Sequence, residues 1–117
     1  MGQAKPDPDS LQDYCVADTK SSLYLNGAPC LSPTLASSSH FTTLALAKPG
    51  DTKANQFGFS VTLTTLANLP GINTMGITMA RVDIAGNGLV PPHSHPRASE
   101  VTICLQGCYS GGLCGHL

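Results

Sequence analysis

The sequence predicts an all-β protein. Three observations carry this. The composition is rich in Ser, Thr, Gly and Pro, has no Trp, and favours β-branched residues over the long helix formers Glu, Lys and Arg. Two stretches alternate apolar and polar residues with period two, which puts one side of an extended chain against a core. No stretch of useful length carries a helical period, and there is no internal repeat. At 117 residues the chain suits one domain with one core.

Along the chain, residues 1–10 hold Pro6 and Pro8 among turn-prone neighbours and read as an extended lead-in. Cys15 and Cys30 flank a short strand-like stretch that ends in the turn signal Asn26-Gly27. A turn there folds the chain back, so a local disulfide and two free buried thiols are both open on spacing alone. Leu31 to Ser39 is Ser- and Pro-rich, a surface loop. From Phe57 to Thr64 the alternation is unbroken, with Phe57, Phe59, Val61 and Leu63 on one face and Gly58, Ser60, Thr62 and Thr64 on the other. This is a strand whose apolar face is expected to be buried. Leu69-Pro70-Gly71 breaks it, and a second strand-like run, Met75 to Ile84, closes at Gly86-Asn87-Gly88. Pro91 and Pro92 lack amide donors, so the chain after them enters a sheet at its edge or at a strand start. Val101 to Leu105 alternates again, whereas residues 108–117 have neither period.

Charged residues make up 11% of the chain and the formal net charge is −1, which gives no electrostatic footprint for nucleic acid. No apolar run approaches the ~18 residues of a membrane-spanning helix, so a soluble protein is expected. The residues after Met1 show no secretory signal, and Pro6 stands where a myristoylation motif has Ser or Thr. The five cysteines are an odd number, so one at least is unpaired.

His93-Ser94-His95 places two imidazoles two residues apart, on one side of an extended chain, where they chelate a single cation. Glu100 follows at an odd offset, and Pro96-Arg97-Ala98-Ser99 supplies the turn that returns it to the same space. Two His and one carboxylate suit non-haem iron and manganese, and zinc and copper would bind more tightly on intrinsic affinity. A solvated His-x-His loop is the simpler reading of the dipeptide alone.

The surrounding residues change that balance. Asn87-Gly-Leu-Val-Pro-Pro-His93-Ser-His95-Pro-Arg-Ala-Ser-Glu100, with Gly107 after six further residues, closely resembles the first cupin box of the plant germins and germin-like proteins. Only the opening glycine departs, replaced by Asn87. Asp7-Pro-Asp-Ser-Leu-Gln-Asp-Tyr-Cys-Val-Ala-Asp18 resembles that family's mature N-terminus, Asn26-Gly-Ala-Pro-Cys30 its second cysteine, and Leu69 to Thr74 with Ala80-Arg-Val-Asp83 the approach to the box.

The resemblance covers residues 6 to 107 and implies an incomplete cupin, part of a jelly-roll β-barrel, in one partial domain over residues 1–117. In this reading residues 1–56 are an N-terminal extension with a disulfide-closed loop, 57–107 the first half of the barrel, and 108–117 an anomalous tail. The resemblance further implies a Cys15–Cys30 disulfide, Mn2+ held by His93, His95 and Glu100, assembly as hexamers, and secretion to the cell wall or apoplast. It implies a fourth ligand, a His from a second box that this chain does not contain; neither His40 nor His116 lies in that context. Family activities are superoxide dismutation and oxalate oxidation, both generating hydrogen peroxide, and other members act as wall or defence proteins. Oxalate oxidases resemble the chain but carry Asn at the positions of Ala80 and Val90, where an amide can bond a carboxylate. Superoxide is therefore the expected small-molecule substrate, with oxalate oxidase or a non-enzymatic metal-binding protein as alternatives. Ser60-Val61-Thr62 stands where the family carries its glycosylation sequon.

After Gly107 the family continues with an apolar strand. With permitted codons for Cys108 to Leu117, dropping the first base yields Ala-Ile-Val-Gly-Gly-Phe-Val-Asp-Ile, a germin-like continuation, so a one-base frameshift is expected to account for the tail. A competing reading gives Cys104, Cys108, Cys114 and His116 a zinc ion. That spacing matches no common zinc module, and free, unstructured cysteines are the simpler alternative.

Overall fold

The computed structural model describes residues 14–24, 27–107 and 111. The lead-in 1–10, Asn26 of the expected turn, and Cys108, Cys114 and His116 of the tail lie outside them.

Among the described residues two strands form a sheet, β1 (Phe59–Leu63) and β2 (Ala80–Ile84), paired antiparallel with Val61 opposite Val82. Among the described residues there is no α-helix, and the remaining regular elements are single 3-10 turns at Pro33–Leu35, Ser38–Phe41 and Pro70–Ile72. No helix among them is long and apolar enough to cross a membrane. The all-β expectation holds, and both strands are shorter than the alternation predicted. Gly58, at φ 68°, turns the chain before β1 and leaves Phe57 outside the strand. Positive φ at Thr74 and Gly76 breaks the run from Met75, which becomes extended and paired only at its end. There the Thr64 N–H donates to the Met79 carbonyl at 2.8 Å, and the Met79 N–H donates to the Thr64 hydroxyl at 2.9 Å.

The expected burial of the apolar face is reversed. Opposed residues share a face, so Phe59/Ile84, Val61/Val82 and Leu63/Ala80 form one side and Ser60/Asp83 and Thr62/Arg81 the other. Val61, Leu63, Val82 and Ile84 are 44, 49, 45 and 40% exposed, and among the described residues nothing closes over them. The polar side is the covered one. There Arg81 donates to both carboxylate oxygens of Asp83 at 3.0 Å and to the carbonyls of Leu46 and Ala47, while the Gly50 N–H donates to Asp83 Oδ2 at 2.9 Å. The loop through residues 46–50 is thus latched across the back of the sheet.

The core lies beside the sheet, not between layers. Cys15, Val16, Ala17, Ala28 and Leu69 are its buried apolar residues, with Thr64 and Asn73 as buried polar ones. Cys15 and Cys30 form a disulfide with Cα atoms 5.0 Å apart, and Ala17 and Cys30 form an isolated antiparallel bridge. The Ala17 N–H donates to the Pro70 carbonyl at 3.0 Å, which joins the disulfide loop to the Pro70–Ile72 turn. Asn73, 1% exposed, accepts from the Ala28 N–H and donates to the Ala28 carbonyl and the Cys15 sulfur. The Cα radius of gyration is 18.3 Å, against about 13 Å for a closed domain of this length. The strand expected over Val101–Leu105 is not formed: the segment has no pairing partner among the described residues, and Val101, Ile103 and Leu105 are 88, 75 and 93% exposed.

Candidate metal centre

The turn after β2 launches the segment that carries the site. The Gly88 N–H donates to the Ala85 carbonyl at 2.8 Å and the Leu89 N–H to the Phe57 carbonyl at 2.8 Å, fixing the chain as it leaves the sheet. Asn87, which departs from the box, has φ 63°. Asn is among the few non-glycine residues that enter this left-handed region at low cost, so the turn survives the replacement. Gly107, at the far end of the box, also has positive φ, 83°.

Between these two turns the structure brings His93, His95 and Glu100 together, with one candidate ligand atom from each lying within 4.8 Å of the others. His95 Nε2 lies 3.0 Å from Glu100 Oε2, and the two imidazoles meet edge to face with centroids 5.0 Å apart. His93 Nδ1 lies 2.9 Å from the Pro91 carbonyl oxygen. A carbonyl only accepts, so Nδ1 carries the proton, and in the neutral ring Nε2 keeps its lone pair for a cation. Glu100 Oε1 accepts from the Thr102 hydroxyl at 3.0 Å.

The donor set fits a divalent cation. Two ligand atoms on an ion with bonds of about 2.1 Å lie about 3.0–3.4 Å apart at octahedral or tetrahedral angles, so the His95–Glu100 pair already has that spacing and side-chain rotation brings His93 to it. His95 Nε2 and Glu100 Oε2 already face each other, so a cation would take the place of the contact between them. His95 and Glu100 side chains are 48 and 54% exposed, leaving the remaining coordination positions open to water.

His93 also borders an open cleft of about 340 Å³ whose other walls are Phe59, Val61, Val90 and Pro91. The apolar face of the sheet therefore runs up to the candidate site. Val90 lines this cleft, and Ala80 sits on the same face opposite Leu63. His40 is elsewhere, its Nδ1 accepting the Ser37 N–H at 3.0 Å. Cys104 Sγ lies against the Gln106 and Gly107 carbonyls. The sequence pattern singled out the three convergent residues but not their partners Pro91 and Thr102, since a backbone carbonyl carries no sequence signal and a Thr in an alternating run reads as a solvent-facing position.

The sequence pattern of the family described as Cupin matches residues 44–115, a span that holds both strands and all three convergent residues. The chain belongs to the cupin family. Within it, germin-like protein subfamily 1 member 1 of Arabidopsis thaliana is 60% identical over 110 residues, covering 92% of this chain and 51% of that protein. Germin-like protein 3-1 of Oryza sativa subsp. japonica is 50% identical over 107 residues, covering 86% of this cupin and 48% of that protein. A solved structure of oxalate oxidase aligns with a TM-score of 0.67 at 43% identity, over 78% of this chain and 45% of that one. The germin resemblance is thus borne out, and the fold is a cupin in which two strands are formed among the described residues. This cupin spans about half the length of the curated relatives it matches.

Proposed function

We propose that this chain carries the first metal-binding box of a secreted germin-like cupin, with Mn2+ held by His93, His95 and Glu100 and superoxide as the substrate. The convergence of those three side chains is the observation that carries the reading. Manganese, when bound, supplies one-electron redox chemistry; the protein's part is to hold and tune it. His93 is oriented for this by the Pro91 carbonyl, which engages Nδ1 and leaves Nε2 as the nitrogen that would face the metal. Glu100 sets a carboxylate oxygen beside His95, which makes the donor set two imidazoles and one carboxylate. The Cys15–Cys30 disulfide supports an oxidising, extracellular compartment such as the cell wall. Self-association, implied by the family as a hexamer, belongs to the same reading.

Oxalate oxidation is the second reading, favoured by the likeness to oxalate oxidase. Against it, the cleft beside His93 presents Val90, Pro91, Phe59 and Val61, none of which donates a hydrogen bond to a dicarboxylate.

The test uses this chain and a version extended to the length of its relatives, each with and without His95→Ala. Metal analysis should find manganese lost with His95→Ala, and the extended protein should dismute superoxide and form little peroxide from oxalate. Undiminished manganese after the substitution would remove the site, and strong oxalate-dependent peroxide would reverse the choice of substrate.

A further inference from the structure

Of the three convergent side chains, Glu100 has the least to fix it. An imidazole presents one lone pair along a defined direction, and His93 is further held by Pro91. A carboxylate has two oxygens and several rotatable bonds, and Glu100 is half exposed. Whether it meets a cation through one oxygen or two therefore depends on what engages the other.

The structure supplies that engagement. Thr102 Oγ1 donates to Glu100 Oε1 at 3.0 Å, while Oε2 faces His95 Nε2 at 3.0 Å. The two oxygens are divided between a hydroxyl and the ligand cluster. Position 102 is two residues beyond Glu100, so the contact is a local one. Nothing in the spacing His-x-His, Glu, Gly asks for a hydroxyl there.

We infer that Thr102 is a positioning residue that occupies Oε1 and turns Oε2 of Glu100 to the cation, so that Glu100 binds through one oxygen. The inference rests on the metal reading above. Hydrogen-bond partners behind a ligand typically contribute 10–100-fold in metal affinity; with Glu100 half exposed, about tenfold is expected.

Thr102 is exposed, so Thr102→Val removes the hydroxyl at constant shape without touching the core. Affinity for Mn2+ and for Co2+ is measured on the whole chain by competition with a chromophoric chelator. The Co2+ ligand-field bands report coordination number independently of activity. Thr102→Val should weaken both ions about tenfold and change the Co2+ bands, and Thr102→Ser should stay within about twofold of the unsubstituted chain. Wild-type affinity with unchanged bands in Thr102→Val overturns the inference, as does a Thr102→Ser variant as weak as Thr102→Val. Failure of the metal reading looks different: the unsubstituted chain then takes up neither ion, or His95→Ala binds both as well as it does.

Discussion

Asn73→Ala tests what holds the N-terminal third to the rest of the molecule. The Asn73 amide is sealed from water and satisfies both backbone polar groups of one residue, accepting from the Ala28 N–H at 3.2 Å and donating to the Ala28 carbonyl at 2.7 Å. Truncation leaves a donor and an acceptor in a nearly closed site, where each orphaned group costs about 1–3 kcal/mol. The third contact, to the Cys15 sulfur at 3.2 Å, adds little because sulfur is a weak acceptor. Ala28 keeps slight exposure, so water recovers part of the loss and the net is about 3 kcal/mol. Against a typical domain stability of about 5–15 kcal/mol this is a large fraction. Urea titration of the oxidised chain should show the lowered midpoint, and amide exchange should show the Ala28 N–H losing protection in step. A loss below about 1 kcal/mol with Ala28 still protected would refute the hub assigned to Asn73.

Non-reducing peptide mapping should recover Cys15 linked to Cys30, and reduction should destabilise the fold by about 3 kcal/mol on the loop-entropy account; two alkylatable thiols would contradict it. The Arg81 guanidinium, and then the Gly50 N–H, hold the Asp83 carboxyl below the usual carboxylate range. Between the ordinary value of about 3.9 and that lower one the unfolded chain binds more protons, so stability is lost as pH falls through this window. The effect should be under about 1 kcal/mol after solvent screening, and Asp83→Asn should abolish it in acid-unfolding curves. A Cβ on Gly88 would lie 2.4 Å from the Gly58 carbonyl oxygen, so Gly88→Ala should cost about 1–3 kcal/mol in thermal unfolding and displace the segment that carries the candidate ligands.

The alternation from Phe57 to Leu63 located β1 and its two faces, because period two is a local property of an extended chain. It could not say which face the chain covers. That is decided by the loop bearing Leu46, Ala47 and Gly50, whose attachment depends on Arg81 and Asp83 some 30 residues away. The same locality explains the segment from Val101 to Leu105: its pattern is strand-like, but a strand exists only where a neighbour pairs with it. His93, His95 and Glu100 were legible because they are close in sequence and a Pro-containing turn suffices to gather them. Asn73 was not legible, since its role lies in contacts 45 and 58 residues distant.

The candidate ligands all come from the short stretch 93–100, and this shapes when a cation would be captured. Closing so short a loop costs little chain entropy, so the chelate can assemble before the disulfide module and the sheet have met. A cation bound by the unfolded chain nearly as well as by the folded one adds little to folding stability, whatever its affinity. Loading would then be a property of the nascent segment, little altered by whether the rest of the chain has folded.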